Sequence, residues 1–415
     1  DGDLVYQSKR TAIYQKYADQ LVKAGHAYHC FCTADELATM RQEQTADGST
    51  VTRYDRRCLN LTPEEVKAKL EANMPYVIRL KVPTGETEFT DLIRGKVKIN
   101  NADIDDQILL KSDGFPTYHL ANVIDDHEMG ITHVIRAEEW LPSTPKHIIL
   151  YQMFGWQQPE FAHLSMILAP DKTKLSKRHG ATSVLEFKNL GYLPEAVVNY
   201  IALLGWNPGT EQEIFSLPEL EKEFDLAKVN KAGAIFDLEK LNWMNGHYIR
   251  QKSLDELTEM CLPYFQQVYP DSALGSAEEG SHGASSFEYL KSIVGLEQER
   301  LKKLSEIGER TKYFFARPKV DPKMLIWKKS TPEETQERLK FLVEFLATVP
   351  EANWTRNTLE EILIEEIKKR GYGNGDTLWP MRVALSGEEK SPSPFEIAEV
   401  LGKEETLERI KIAIK

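Results

Sequence analysis

The sequence predicts an α/β domain with a parallel sheet, which carries an α+β insertion and is followed by an all-α region. Strand and helix patterns alternate between residues 108 and 169, which is typical of βαβ units. Residues 33–110 mix helix signals with turns and alternating strand patterns. From about residue 254 the chain consists mainly of long, charged amphipathic segments, which predict helices.

The composition agrees with a folded protein of several domains. The chain has 415 residues, of which 41% are hydrophobic and 28% charged. Its net charge of −12 requires any nucleic-acid partner to meet a local basic surface. Four cysteines are too few for a disulfide framework and favour reduced thiols or a metal site. No apolar run approaches the ~20 residues of a membrane span, and a signal-peptide pattern is missing, so we expect a cytoplasmic protein without a membrane partner.

Each element of the first 170 residues follows from its hydrophobic spacing and terminal residues. The expected helices are 8–25, 33–41, 63–70, 118–128 and a helix capped by Ser143 that runs to residue 153. The expected strands are 76–82, 89–99, 108–111, 132–137 and 164–169. Parallel strands bring their carboxyl ends to one edge of a sheet, so we expect a nucleotide site there. In the helical region, GSAEEGSHGASS at 275–286 predicts a flexible loop.

A cationic loop, PDKTKLSKRHG at 170–180, is the sharpest local feature. It places Lys172, Lys174, Lys177 and Arg178 within seven residues, directly after a predicted strand. These cations repel one another, and they would be useful where phosphate oxygens carry developing charge. A solvated run of charges is the alternative interpretation of the loop alone.

The KLSKR part of this loop resembles the KMSKS signature of class I aminoacyl-tRNA synthetases, in the variant of bacterial-type glutamyl-tRNA synthetases. Further segments resemble the same family in the same order, namely YQSKR at 6–10, TYHLANVIDDHEMGITHVIRAEEW at 117–140, FDLEKLNWMNG at 236–246 and WPMRVALSG at 379–387. The resemblance implies a Rossmann-type catalytic domain formed by 1–15 and 116–172, incomplete at its N-terminus, with an acceptor-stem-binding insertion at 16–115. It further implies a loop and stem-contact domain at 173–253 and two helical anticodon-binding subdomains at 254–325 and 326–415.

The resemblance assigns the amino-acid substrate, L-glutamate, to Tyr118, Asn122 and Arg136. Arg136 ends a predicted strand, where its guanidinium could grip a carboxylate through two hydrogen bonds. Asn122 lies one helical turn after Tyr118, on the same face of the predicted helix. Without the resemblance, each of these side chains would be read as a satisfied structural residue.

The resemblance assigns ATP to a second set of residues, with Lys174 and Lys177 as the catalytic cations. The ATP-binding set is Glu139, Ile167, Lys174, Leu175, Ser176, Lys177 and Arg178. From the residues alone, Glu139 could be a carboxylate at a helix start and Ile167 a core residue. The acidic run Asp125–Glu128 also resembles a ligand set, but at a helix end we expect solvated or capping groups.

The implied reaction is glutamate–tRNA ligation with ATP and Mg²⁺. Glutamate attacks the α-phosphorus of ATP, pyrophosphate leaves, and the glutamyl group passes to the 3′-terminal adenosine of tRNA(Glu). Members of the family need tRNA even for the first step, and we expect a monomer. The alternatives are a non-catalytic tRNA-binding paralogue and a glutamyl-queuosine tRNA(Asp) synthetase, which lacks helical anticodon domains.

The sequence departs from the family at one motif. Class I enzymes carry a HIGH-type tetrapeptide, and no His-x-Gly-His occurs among the ten histidines. HAYH at 26–29 lacks the glycine and follows a predicted helix, so we consider it a coincidence. We therefore expect a missing N-terminal segment, an active intact parent and an inactive chain on its own.

Cys30, Cys32 and Cys58 resemble the zinc element found in the insertion of some relatives. Thiolates at this spacing suit tetrahedral zinc, which needs a fourth ligand. Asn60 stands where zinc-binding relatives have a histidine, and Tyr54 could replace it as in a related tRNA-modifying enzyme. The missing histidine favours a zinc-free cluster, with the three cysteines and Tyr54 as the ligands if zinc binds.

Overall fold

The computed structural model describes residues 4–48, 52–180, 183–269 and 287–414, and the chain divides into two compact units. The first unit consists of Asp1–Leu175, Leu203–Gln212 and Glu221–Phe236. The second unit consists of Ser176–Ala202, Glu213–Leu220 and Asp237–Lys415. The loop predicted at 275–286 lies outside the described residues.

Short strands and helices of six or more residues alternate in the first half of the chain. The strands are β1 (Ala27–Cys30), β2 (Val77–Leu80), β3 (Glu86–Asp91), β4 (Gly95–Asn100), β5 (Ile108–Leu110), β6 (His133–Ala137), β7 (Glu160–Leu164), β8 (Ile167–Leu168) and β9 (Ala234–Ile235). The helices up to residue 251 are α1 (Thr11–Lys23), α2 (Ala34–Ala46), α3 (Pro63–Glu71), α4 (Tyr118–Glu128), α5 (Thr144–Phe154), α6 (Val184–Asn189), α7 (Pro194–Leu203), α8 (Leu217–Glu223) and α9 (Leu238–Gln251).

Helices dominate the remainder. They are α10 (Leu254–Val268), α11 (Phe287–Glu297), α12 (Ile307–Arg310), α13 (Lys312–Phe315), α14 (Pro332–Thr348), α15 (Arg356–Lys369), α16 (Asn374–Ser386) and α17 (Pro394–Ile414). Gly402, with φ of 77°, interrupts α17. The described helices include none long and apolar enough to cross a membrane.

The main sheet of the first unit is mixed, with the strand order β4-β3-β7-β6. β6 and β7 run parallel and are connected through α5, as the predicted βαβ unit requires. The antiparallel hairpin β3–β4 belongs to the same sheet, because β3 pairs in parallel with β7 at Asp91 and Phe161. This hairpin lies within the segment 16–115 that the sequence assigns to the insertion. The strand predicted at 108–111 instead becomes β5 and belongs to the separate antiparallel sheet β1-β2-β5.

Helices α1, α4 and α5 supply much of the core of the first unit, through side chains such as Tyr14, Leu120 and Ile148. Burying such apolar side chains contributes about 1.5–3 kcal/mol each. The start of α5 differs from the expectation, because Ser143 makes no capping hydrogen bond through its side chain. A 3-10 helix, Glu138–Ser143, leads directly into α5, so no extended residue precedes the helix to cap it.

Asp125 is buried, which corrects the expectation of a solvated or capping group. Its carboxylate accepts hydrogen bonds from Gln7 Nε2 (3.0 Å), Arg10 Nε (2.9 Å) and the hydroxyl of Tyr14 (2.9 Å). A buried carboxylate requires such partners to offset its lost hydration. Asp125 therefore fastens the start of the described chain to α4.

The second unit has one hydrophobic core that extends from Leu193 to Ile410. A buried ion cluster accompanies this core, because Glu297 is only 1% exposed and pairs with Arg300 (3.3 Å) and Arg310 (2.7 Å). Helices make up most of this second unit, as the sequence predicts, and α14 begins with a capping box between Thr331 and Glu334.

Candidate active site

Arg136 lies near the carboxyl end of β6, where the sequence predicts a ligand site. Its Nε donates a hydrogen bond to His163 Nε2 on β7 (3.1 Å), and its Nη2 donates to Thr144 Oγ1 at the start of α5 (2.9 Å). The same Nη2 lies 3.3 Å from His147 Nδ1 on α5. Three elements of the βαβ unit therefore fix the direction of this guanidinium.

The guanidinium retains an unpaired side. Arg136 Nη1 is buried and has no hydrogen-bond partner among the residues that the structure describes. Burial lowers the pKa of Arg136, but a guanidinium remains charged in proteins. A half-buried cation with a buried, unsatisfied donor favours a carboxylate ligand, which supplies both charge and acceptors.

Tyr118 and Asn122 lie one turn apart on α4, and Tyr118 lies close to this cation. The ring of Tyr118 is 4.8 Å from the ring of Trp140, and the guanidinium of Arg136 lies over that same indole at 5.7 Å. Among the described residues, Asn122 Oδ1 is a second buried polar atom without a partner. The structure therefore brings Tyr118 and Arg136 together, as expected, and gives Asn122 an unsatisfied acceptor.

Two neighbours of Arg136 were not predicted as site residues. Asp126 continues the face of α4 one turn after Asn122, and burial raises its pKa to about 6, although Arg136 opposes this shift. Tyr151 on α5 is 2% exposed, and its hydroxyl has no partner among the described residues. The i+4 spacing from Asn122 could have identified Asp126, whereas no local signal identifies Tyr151.

Four of the expected ATP-binding residues lie in the first unit. Glu139 is in the 3-10 helix that follows β6, and its carboxylate pairs with the ammonium of Lys174. Leu175 N–H donates to the carbonyl of Ile167 (3.0 Å), which folds the loop back along β8. Lys174 and Glu139 remain about half exposed, so their pair contributes little stability and leaves both groups accessible to a ligand.

The other three expected residues, Ser176, Lys177 and Arg178, begin the second unit. Lys177 and Arg178 are exposed and belong to a short 3-10 helix, Lys177–His179. Ser176 N–H donates to His179 Nδ1 (3.2 Å), so the serine starts this turn. Both cations thus lie on the surface, which agrees equally with an anion-binding loop and with a solvated run of charges.

The cysteines of the insertion converge, as their spacing predicts. The sulfur atoms of Cys30, Cys32 and Cys58 all lie within 4.8 Å of one another. The hydroxyl of Tyr54 lies 3.4 Å from Cys30 Sγ and 3.3 Å from Cys32 Sγ, and it accepts a hydrogen bond from Cys58 N–H (3.1 Å). The three sulfurs could hold a metal ion, and the hydroxyl of Tyr54 lies beside them as a potential fourth donor.

Arg79 supports this cluster electrostatically. Its guanidinium lies over the ring of Tyr54 at 4.1 Å and is 4% exposed. Burial opposes ionisation throughout the cluster: it raises the pKa of Cys32 to about 12 and also raises the pKa of Tyr54, whereas hydrogen bonds with Tyr54 and Arg79 outweigh burial at Cys30 and lower the pKa of that thiol. A thiolate is the form that binds metal.

Two family models match almost the whole chain. Residues 1–243 match "tRNA synthetases class I (E and Q), catalytic domain", and residues 254–414 match "Anticodon binding domain". The fold and site therefore define a class I aminoacyl-tRNA ligase. The anticodon-binding match also disfavours the alternative of a tRNA-modifying enzyme without such domains.

Similar proteins identify the family within this class of ligases. Glutamate–tRNA ligases of Alkaliphilus metalliredigens and Treponema denticola are 45% and 44% identical to this chain, covering 98% of it and 80% and 83% of their own lengths. A crystal structure of a glutamate tRNA ligase from Elizabethkingia meningosepticum, described as in complex with its amino acid, has a TM-score of 0.84 at 39% identity and covers 100% of this chain and 84% of that one. The chain belongs to the glutamate–tRNA ligase family.

Proposed function

We propose that this protein activates L-glutamate with ATP and transfers it to the 3′-terminal adenosine of tRNA(Glu). The unpaired side of Arg136 is the observation that carries this proposal, together with family membership. We further propose that it does so in the cytoplasm and as a monomer. Its partners are then L-glutamate, ATP and tRNA(Glu).

Glutamate would bind with its side-chain carboxylate at Arg136 Nη1. Tyr118 offers a phenolic donor to the same carboxylate, and the Asn122 amide lies one turn further along α4. Glutamine would fit this position poorly, since its amide presents N–H donors as well as an oxygen to a guanidinium that can only donate. The proposed pocket thus selects charge as well as length.

ATP would bind along β8 and the following loop. Glu139 and the backbone near Ile167 and Leu175 would hold the adenosine. When the triphosphate arrives, Lys174 would exchange Glu139 for phosphate oxygens, and Lys177 would neutralise charge that develops as pyrophosphate leaves. Ser176 and Arg178 would complete the phosphate contacts. Mg²⁺ would accompany ATP and neutralise its phosphate oxygens.

The chemistry then follows from position and charge. The α-carboxylate of glutamate attacks the α-phosphorus of ATP, forming a mixed anhydride and releasing pyrophosphate. A ribose hydroxyl of the terminal adenosine of tRNA next attacks the activated carbonyl and releases AMP. Residues 254–414, which match the anticodon-binding family, would recognise the other end of the tRNA.

Zinc would be held by Cys30, Cys32, Cys58 and Tyr54. The sequence favours a zinc-free cluster because the expected histidine is missing, but the convergence of three sulfurs and the phenol supports metal binding. Bound zinc would cross-link β1 to the 3-10 helix Arg57–Asn60 and so order the insertion.

Charging of a tRNA(Glu) transcript with labelled glutamate tests the proposed function. The intact protein is incubated with ATP, Mg²⁺ and either glutamate or glutamine. A tRNA(Asp) transcript serves as the control. The proposal predicts ATP-dependent charging of tRNA(Glu) with glutamate. Glutamylation of the tRNA(Asp) transcript alone, or binding of tRNA without any charging, would reject it in favour of one of the two alternatives.

A further inference from the structure

A buried relay of polar groups runs behind Arg136, on the side away from the proposed ligand. Asp91 at the end of β3 lies 2.6 Å, through Oδ2, from His163 Nδ1 on β7. Both side chains are 0% exposed. His163 Nε2 in turn lies 3.1 Å from Arg136 Nε. Asp91, His163 and Arg136 therefore form one continuous chain of hydrogen bonds.

The hydrogen bonds fix which nitrogen of His163 carries the proton. A guanidinium can only donate, so His163 Nε2 has to accept from Arg136 Nε. The proton of the imidazole is then on Nδ1, where it is donated to the Asp91 carboxylate. The carboxylate is held in place by backbone N–H groups of Ile93 (3.0 Å) and Arg94 (2.8 Å), which accounts for its orientation.

A second neutral histidine lies beside Arg136. His147 Nδ1 is 3.3 Å from Arg136 Nη2, and His147 Nε2 is 2.9 Å from His119 Nδ1. Burial lowers the pKa of His147 and also that of His119, which favours uncharged rings. Among the described residues, no carboxylate forms a direct ion pair with Arg136, so its direction is set by neutral acceptors and its charge is retained for a ligand.

We propose that Asp91 and His163 are positioning residues that aim the Arg136 guanidinium at the side chain of the amino-acid substrate. This inference rests on the proposed function and deepens it. Asp91 keeps the accepting nitrogen of His163 towards Arg136. His163 in turn holds Arg136 Nε, which leaves the unpaired Nη1 on the opposite edge of the guanidinium for the substrate carboxylate. The relay sets the preference for a carboxylate over an amide without touching the substrate.

Three variants separate this role from a purely structural one. His163→Gln retains an acceptor that can reach Arg136 Nε, whereas His163→Leu removes the acceptor at similar volume. Asp91→Asn presents an amide donor to Nδ1, which moves the imidazole proton to Nε2, against the N–H of Arg136. His133→Leu, at an exposed histidine on β6, is the matched control.

Glutamate and glutamine dissociation constants are measured by calorimetry on the intact protein, together with melting temperatures and the KM values of the charging reaction. A weakened charge-assisted hydrogen bond predicts that His163→Leu and Asp91→Asn raise the glutamate dissociation constant about 10- to 100-fold, while glutamine binding and the KM for ATP change less than about 2-fold. We expect His163→Gln to remain within about 5-fold of the wild type and His133→Leu to match it.

The outcomes separate this inference from the proposed function. If the wild-type protein binds no glutamate, the proposed function fails. If it binds glutamate and His163→Leu binds equally well, the positioning role is wrong. Equal losses in His163→Leu and His163→Gln, at unchanged melting temperature, would also overturn it, because the acceptor would then not matter. Should Asp91→Asn not fold, the two His163 variants decide.

Discussion

Replacing Arg136 with glutamine should remove most of the protein's preference for glutamate over glutamine. Two of the three nitrogens of the guanidinium already bind His163 and Thr144, so only Nη1 remains to gain a new partner. A charge-assisted hydrogen bond contributes about 1.5–3 kcal/mol, which corresponds to about 10- to 150-fold in affinity. We expect Arg136→Gln to weaken glutamate binding by this factor and to change glutamine binding less than about 3-fold.

Calorimetric titration of both amino acids into the intact protein measures this change directly. Arg57→Gln is the matched control, since Arg57 is an exposed arginine of the same unit that pairs with Asp55. Its binding of glutamate should equal that of the wild type. If Arg136→Gln bound glutamate with wild-type affinity, the carboxylate would not be recognised by this guanidinium, and the proposed site would be wrong.

Three further predictions concern the loop, the cysteines and the buried relay. Lys177→Ala should lower the rate of tRNA-dependent ATP–pyrophosphate exchange about 100-fold with little change in glutamate binding, and an unchanged rate would remove Lys177 from the phosphate site. Purified protein should contain about one zinc per chain by atomic absorption. Cys58→Ser should lose this zinc, whereas Cys261→Ser, at a buried cysteine outside the cluster, should retain it. Equal zinc content in the two variants would contradict the proposed ligand set. Burial opposes ionisation of Asp91, but hydrogen bonds from backbone N–H groups and from the side chain of His163 outweigh it and lower its pKa. The Asp91 carboxylate should therefore contribute its full stabilisation above its unfolded pKa of about 4 and lose it as the pH falls through its lower folded pKa. The difference in melting temperature between the wild type and Asp91→Asn should accordingly shrink between pH 5 and pH 2. A constant difference would show that the charge of Asp91 does not stabilise the fold.

Elements that depend on local spacing were predictable. The helix expected at 118–128 has those bounds in the structure, because its apolar face and the glycine after it are local signals. The membership of strands in sheets was not predictable to the same degree. β3 pairs with β7, about seventy residues later in the chain, and no local pattern in the sequence indicates pairing over such a distance.

Some residues of the candidate site could likewise be predicted from the sequence, whereas others could not. Arg136 could be identified because it ends a strand pattern within a segment that resembles the family, and Cys30, Cys32 and Cys58 because their spacing suits a metal. Asp91 lies in a strand that shows only alternation, and its partner His163 is a single histidine in an apolar run. Their juxtaposition depends on the parallel pairing of β3 and β7, so only the structure reveals the relay.

ATP–pyrophosphate exchange in the presence of tRNA(Glu) measures whether this protein selects glutamate by its charge. The exchange rate of the intact protein is measured with each of the twenty amino acids in turn. Glutamate should support exchange, whereas glutamine and aspartate should do so at least about 100-fold less efficiently, since glutamine lacks the charge and aspartate lacks the length. Comparable exchange with glutamine would contradict selection of glutamate by its charge.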